Sequence, residues 1–338
     1  MSLRRAIIVA FFSLVLLPLS SVHADKGMIS ISAGVSVHEP GQKAILAWNG
    51  YEEVMILSTD VTSSEETLVL EILPLPSAPV VEAASFQAFE RIQEIWEAGV
   101  SLFTYGVMAD ARSGSVEVVF HEEIGPHNVT AVKAEDSSEL VDWMRDFLEE
   151  NGVDKEASLQ DFESVVEGYM NRGFRYYVLD LITVSSEERS VDPILYRFKS
   201  SFLYYPLAIS SPIDGNTQIT LFLLTEGPDV TDYWPMQQAY YVHPDIRERQ
   251  PIQFVLPKGR LSKIDLRVGE IFQDSAWLTV LTFDGQMSLL QRDLMISSNI
   301  PAEIPAVLIA LCILFGALAG VISTLLITRS RRKPGKAS

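Results

Sequence analysis

The chain of 338 residues holds a single cysteine, Cys312. One thiol excludes an internal disulfide and any zinc site built from several thiolates. Basic residues are also few, 26 against 44 acids, for a formal net charge of −18. That deficit argues against nucleic acid as a partner, because phosphate charge calls for a cationic face. The sequence has no phosphate-cradling glycine loop, no dinucleotide fingerprint and no GxSxG elbow, so it implies no cofactor and offers no catalytic residue. It has no internal repeat and no low-complexity tract. What it does have is an apolar fraction of 48%, too high for a disordered chain.

The scarce positive charge is unevenly placed. All 44 acids lie between Asp25 and Glu303, a stretch with only 19 basic residues and hence a net charge of −25. Residues 1–24 carry Arg4 and Arg5, then an apolar run over 6–19, then Val22-His23-Ala24. A charged start, an apolar core and small residues at −3 and −1 predict a signal peptide cleaved before Asp25. Residues 304–327 form 24 positions without a charge. At ~1.5 Å per residue this is about 36 Å of helix, enough to cross a ~30 Å hydrocarbon layer. Arg329, Arg331, Arg332, Lys333 and Lys336 follow, a positive cluster that favours the cytoplasmic side. The expected organisation is a signal peptide at 1–24, an extracytoplasmic domain at 25–300, a transmembrane helix at 304–327 and a basic cytoplasmic tail at 328–338. An alternative divides the domain into two subdomains near 130–175. Within the span Gly316 and Gly320 form a GxxxG pair, which lets two helices approach closely and points to a homodimer.

The expected fold class is α+β: a β-rich ectodomain with antiparallel hairpins and about three helices, plus the C-terminal transmembrane helix. Asn49-Gly50 between two apolar runs predicts a hairpin with a type I′ turn. A third strand at 67–73 should end at Leu73-Pro74-Leu75-Pro76, whose prolines predict an extended surface crossover. Phe86, Phe89, Ile92, Ile95 and Trp96 recur at helical spacing, capped by Ser85 and closed by Gly99. Strands are expected over 101–108, 116–120 and 129–133. A second helix starts at Ser137 or Ser138 and closes at Asn151-Gly152, and a third runs from Ser158 to Gly173. Strands follow at 174–184, 195–202 and 217–224, and Asp284-Gly285 predicts a second hairpin between 277–283 and 287–290.

Sites are sparse. His121, Glu123 and His127 are the metal candidates, held on a loop because Gly125-Pro126 breaks any helical HExxH spacing. Asn128-Val129-Thr130 is a glycosylation sequon at Asn128. Tyr205, Tyr233, Trp234 and Tyr241 are candidates for an aromatic surface that takes a protein or a glycan, with core packing as the competing reading. On a strand, adjacent tyrosines should divide between core and surface.

A longer pattern runs through the middle. Gly125-Pro126-His127-Asn128-Val129-Thr130 leads to Ala134-Glu135-Asp136, Leu140-Val141-Asp142-Trp143 and Asn151-Gly152. Tyr169-Met170-Asn171-Arg172-Gly173-Phe174-Arg175-Tyr176 follows, then Pro193-Ile194, Phe198-Lys199-Ser200 and Tyr205-Pro206-Leu207. Over residues 42–225 this order resembles a family of exported, membrane-anchored bacterial and archaeal proteins known only as a domain of unknown function. The resemblance implies a signal peptide and a C-terminal span, and supplies no activity or catalytic residue. Many bacterial members carry extra cysteines near the mature N-terminus, and this chain has none there.

These features predict a single-pass cell-surface protein whose ectodomain binds or organises a partner outside the membrane. Two alternatives are a membrane-tethered hydrolase or metal-dependent enzyme, and an accessory subunit of a membrane complex.

Overall fold

The computed structural model describes residues 28–30, 35, 37–105, 127–152, 159–187, 189–213, 215–228, 233–243 and 247–297. The signal peptide, the strand expected at 116–120, the Ser158 cap and the span at 304–327 lie outside them. Among the described residues no helix is long and apolar enough to cross a membrane. The described residues belong to one compact unit that ends at Ser297.

Strands β1 (Ile29–Ser30), β2 (Val37–Trp48), β3 (Glu52–Ser63), β4 (Thr67–Leu75) and β5 (Val80–Ala83) precede helix α1 (Phe86–Tyr105). Strand β6 (His127–Lys133) leads into helices α2 (Ser137–Glu150) and α3 (Gln160–Asn171). Strands β7 (Tyr176–Val184), β8 (Arg189–Ser190), β9 (Ile194–Lys199), β10 (Phe202–Tyr205) and β11 (Asn216–Thr225) follow. Short strands β12 (Gln237–Gln238), β13 (Tyr240–Val242), β14 (Arg249–Pro251) and β15 (Gln253–Pro257) come next. Helices α4 (Lys258–Ile264) and α5 (Leu266–Glu270) lead to β16 (Ser275–Gln286) and β17 (Leu294–Ser297). The class is α+β and β-rich.

A large nine-stranded sheet runs β12-β16-β11-β2-β3-β9-β5, with β15 also on β16 and β8 also on β3. A small four-stranded sheet runs β1-β4-β7-β6. The pairs are antiparallel except β2 with β11. Side chains alternate across each strand. On β2 and β3, Ile45, Ala47, Val54 and Ile56 join a core with α1, α4 and α5. Their neighbours Ala44, Leu46, Met55 and Leu57 join the core shared with the small sheet, α2 and α3. The small sheet is divided likewise: Val69, Ile182 and Val184 meet Val37 and Val61 of the large sheet. Its opposite face carries Tyr177, whose hydroxyl donates to Val166 O of α3.

Local chemistry explains several boundaries. At the first hairpin, Gly50 has φ +87°, and Asn49 Oδ1 accepts from Tyr51 N and Glu52 N. Helix α2 is capped by Asp136, one residue before the expected serine, through Oδ1 to Ser138 N and Glu139 N.

Other expectations are corrected. Gly99 does not end α1, which continues to Tyr105 through the start of the strand expected at 101–108. The glycine serves close packing instead: a Cβ there would lie 2.6 Å from Phe254 Cζ. Pro74 does not leave the sheet; it pairs with Tyr177, and Leu73 and Leu75 are buried. Among the described residues β1 pairs with β4 at Val69 and Leu70 and not at the proline, where a ladder can do without an N–H on that side. Asp284-Gly285 makes no hairpin: both lie inside β16, which stays paired with β11 to Asn216↔Gln286. Among the described residues there are five α-helices where about three were expected, because α4 and α5 are seven and five residues long, too short to show a helical period.

The Gly99 contact yields a test. Alanine has the higher helix propensity, yet Gly99→Ala is expected to destabilise the chain by about 1–3 kcal/mol through overpacking against Phe254. Urea unfolding of the two forms measures the sign.

A buried histidine clamp and an aromatic groove as candidate functional sites

Two buried strands each carry an acid at a position where an apolar residue would be the ordinary occupant. Glu71 of β4 and Asp180 of β7 are directly opposed in register, both with about 2% of their surface exposed. Both point to the side of the small sheet that meets the large one, since they alternate with Leu70, Ile72, Leu179 and Leu181. His127, at the start of β6, pairs with Ile182, two residues along β7 from Asp180. Its Nδ1 lies 2.5 Å from Asp180 Oδ2, and the two side chains are 1% and 3% exposed. Its Nε2 lies 2.8 Å from the backbone carbonyl of Asp192. Asp192 follows β8, whose Ser190 hydroxyl donates to Asp60 Oδ1 of β3. The imidazole thus spans from the small sheet to a segment attached to the large one.

The chemistry of this clamp is constrained by what each nitrogen faces. A carboxylate beside Nδ1 is half of a nucleophile-activating arrangement. The other half is missing, because Nε2 meets a carbonyl oxygen rather than a hydroxyl and the ring is sealed from solvent. Both ring nitrogens of His127, one of the metal candidates, lie within hydrogen-bond distance of these oxygens. Among the described residues no group of three or more His, Cys, Asp or Glu is arranged to hold a metal ion. His121 and Glu123 lie outside the described residues.

Asp293 and Glu53 are also buried. Asp293 accepts from Tyr169 Oη at 2.6 Å, Arg172 Nη1 at 2.8 Å and Ala208 N at 2.8 Å. Burial, with the Asp293 charge beside it, holds the Tyr169 phenol well above its usual range. Glu53 accepts from Tyr204 N at 2.8 Å, while its Oε1 has no hydrogen-bond partner among the described residues. Burial pushes the Glu53 carboxyl well above its usual 4.5, so the folded chain keeps it neutral into higher pH.

A groove opens on the opposite face of the large sheet, where α1 crosses β2 and β11. Its volume is about 490 Å³. Phe86, Phe89 and Trp96 of α1 and Phe222 of β11 supply aromatic walls, and Trp96 meets Phe222 at 6.0 Å between ring centroids. Lys43, Glu90, Gln93 and Thr220 supply polar groups of both charges.

The aromatic residues singled out in the sequence do not form one surface. Tyr205 is 2% exposed, and its hydroxyl donates to Gln42 Oε1. Tyr204 beside it is buried too, so that pair does not divide between core and surface. Tyr233 packs on the inter-sheet core, whereas Tyr241 packs on the core beneath α1. Trp234 is 58% exposed. Asn128 is exposed on β6, with Nδ2 donating to Asn151 Oδ1 at 3.3 Å. Gly316 and Gly320 lie outside the described residues. The groove was missed because Phe86, Phe89 and Trp96 read as the core face of a helix, and nothing local links them to Lys43 or Thr220. The clamp did leave a signal: one acid in the middle of each of two apolar strands.

Glu53 gives a pH test. Its carboxyl is neutral in the folded chain where the unfolded one is ionised, so unfolding releases a proton above the usual 4.5. Stability from this group is fully present below that value and falls as pH rises through the shifted range. Glu53→Gln removes the loss and is expected to unfold at higher denaturant than the parent at pH 8, by about 1–3 kcal/mol, with the gap closing toward pH 4.

Comparisons place the chain among known proteins. No curated protein matches it. The crystal structure of baculovirus P35 overlays with a TM-score of 0.44 at 10% identity, covering 79% of this chain and 98% of that one. A mutated baculovirus P35 after caspase cleavage gives 0.37 at 9% identity, covering 77% and 99%. P35 in the caspase-8/P35 complex gives 0.36 at 10% identity, covering 77% and 96%. Residues 21–232, more than half of the chain, match the family described as "Uncharacterized protein conserved in bacteria (DUF2330)", and the chain belongs to that family.

Proposed function

We propose that the chain is a single-pass cell-surface protein whose acidic ectodomain binds a small ligand in the groove between α1 and the large sheet. The groove carries this reading. Its volume of about 490 Å³ falls within the ~300–1,000 Å³ common for ligand sites, and aromatic walls with a few polar groups are the usual lining. The tether rests on charge: acid-free, basic ends flank a segment of net charge −25, and 304–327 carries no charge. Export would leave the acidic segment outside, and the basic cluster after the span would hold the tail inside. Self-association through Gly316 and Gly320 belongs to the same reading.

Topology and binding are tested separately. Protease added to intact cells is expected to remove the segment 25–303 and to leave an epitope at 329–338 protected; cleavage of that epitope on intact cells refutes the orientation. Native mass spectrometry of the full chain extracted in detergent is expected to show a retained small molecule. Thr220→Trp fills the groove and should lose it, and equal retention by both forms refutes the groove as the site.

A further inference from the structure

We propose that the groove under α1 recognises a zwitterion, with a quaternary ammonium against its aromatic walls and Glu90 and an anionic group at Lys43 and Thr220. This ligand class rests on the small-ligand reading of the groove above. Among the described residues the apolar lining of the groove is wholly aromatic: Phe86, Phe89, Trp96 and Phe222. The core beneath α1 is mostly aliphatic, with Ile45, Ala47, Val54, Ile56 and Leu224 among its members. An alkyl ligand would be served as well by aliphatic side chains of that kind. Aromatic faces add a negative quadrupole, which attracts a cation and suits the methyl groups of a quaternary ammonium.

The charges of the groove point the same way. Lys43 of β2 is the register partner of Thr220 on β11. By alternation both share the α1 face with Ile45 and Phe222. Glu90 lies one helical turn after Phe86 on the opposite wall. Lys43 and Glu90 are exposed, and neither forms an ion pair with a described residue. Arg91, the next residue on α1, pairs with Glu94 instead. The groove therefore offers one charge of each sign from opposite walls. A ligand with a single charge gains one partner and meets one repulsion: an ammonium alone faces Lys43, and a carboxylate alone faces Glu90. A molecule with both charges satisfies both. Its zero net charge also spares it the repulsion that a segment of net charge −25 exerts on an anion. Lys43 Nζ then donates to the anionic group, with the Thr220 hydroxyl beside it as a second donor. A quaternary ammonium has no N–H, so Glu90 holds it by charge alone and the rings take its methyl groups.

Glycine betaine is a small probe of this class, and two part-ligands frame it. Tetramethylammonium carries the cation alone, and 3,3-dimethylbutanoate keeps the carboxylate with carbon in place of nitrogen. Saturation-transfer NMR of the full chain in an uncharged maltoside detergent measures their affinities. Glycine betaine is expected to bind about tenfold more tightly than either part-ligand. Glu90→Gln is expected to weaken glycine betaine and tetramethylammonium and to tighten the butanoate. Lys43→Gln is expected to weaken glycine betaine and the butanoate and to tighten tetramethylammonium. Both side chains are exposed, so either variant keeps the fold, and a loss of structure would not produce the crossed pattern. Four results each overturn the proposal: no saturable binding of glycine betaine, affinity equal to that of a part-ligand, affinities that ignore both charge variants, or binding unchanged by Thr220→Trp. The small-ligand reading is decided separately by the molecule retained in native mass spectrometry. Its retention by the parent and loss in Thr220→Trp keep the groove as a site even where the zwitterion is rejected.

Discussion

Burial of the large sheet on both faces is the constraint from which the rest of the structure follows. One face is covered by α1, α4 and α5, the other by the small sheet with α2 and α3 behind it. Strands β2, β3 and β11 are therefore apolar on both sides, and their length is set by pairing rather than by turn residues. Asp284-Gly285 shows this: β16 runs through a dipeptide that would turn elsewhere, because Asp284 and Gly285 pair with Gln218 and Thr217 of β11. Pro74 shows the complementary case. It is accepted inside a strand where, among the described residues, the pairing of β1 with β4 does not reach it.

A core between two sheets makes any polar group inside it expensive unless it is satisfied. Three buried acids answer that cost differently. Asp293 gathers three donors, one of them the charged guanidinium of Arg172. Glu53 stays neutral. Asp180 takes a histidine, and the histidine in turn takes a carbonyl from the other sheet. The first arrangement ties β17 to α3, and the last ties the small sheet to the segment after β8. These are cross-links made where no disulfide is possible, since the one cysteine lies at 312.

Much of the fold was legible because it depends on short-range chemistry. Asn49-Gly50, Asn151-Gly152 and Gly173 mark turns and helix ends that need positive φ. The apolar period of α1, α2 and α3 marks helices because each is long enough to show it. What was not legible has one cause, which is that it depends on a partner distant in sequence. Gly99 reads as a helix end until Phe254 is placed beside it. Tyr204 and Tyr205 read as one inside and one outside until the layers close over both. Tyr205, Tyr233 and Tyr241 read as a group until the large sheet is seen to separate them.

The sequence by itself determined the charge partition, the lone cysteine, the family pattern and the local punctuation of strands and helices. All of these are properties of residues or of near neighbours along the chain. Only the tertiary structure decided that His127 reaches Asp180 and the carbonyl of Asp192, and that the aromatic residues of α1 border a groove with Lys43 and Thr220. Both outcomes rest on contacts between residues more than 40 positions apart, such as His127 with Asp180. Composition and periodicity carry no information about which distant side chain will fill a given space.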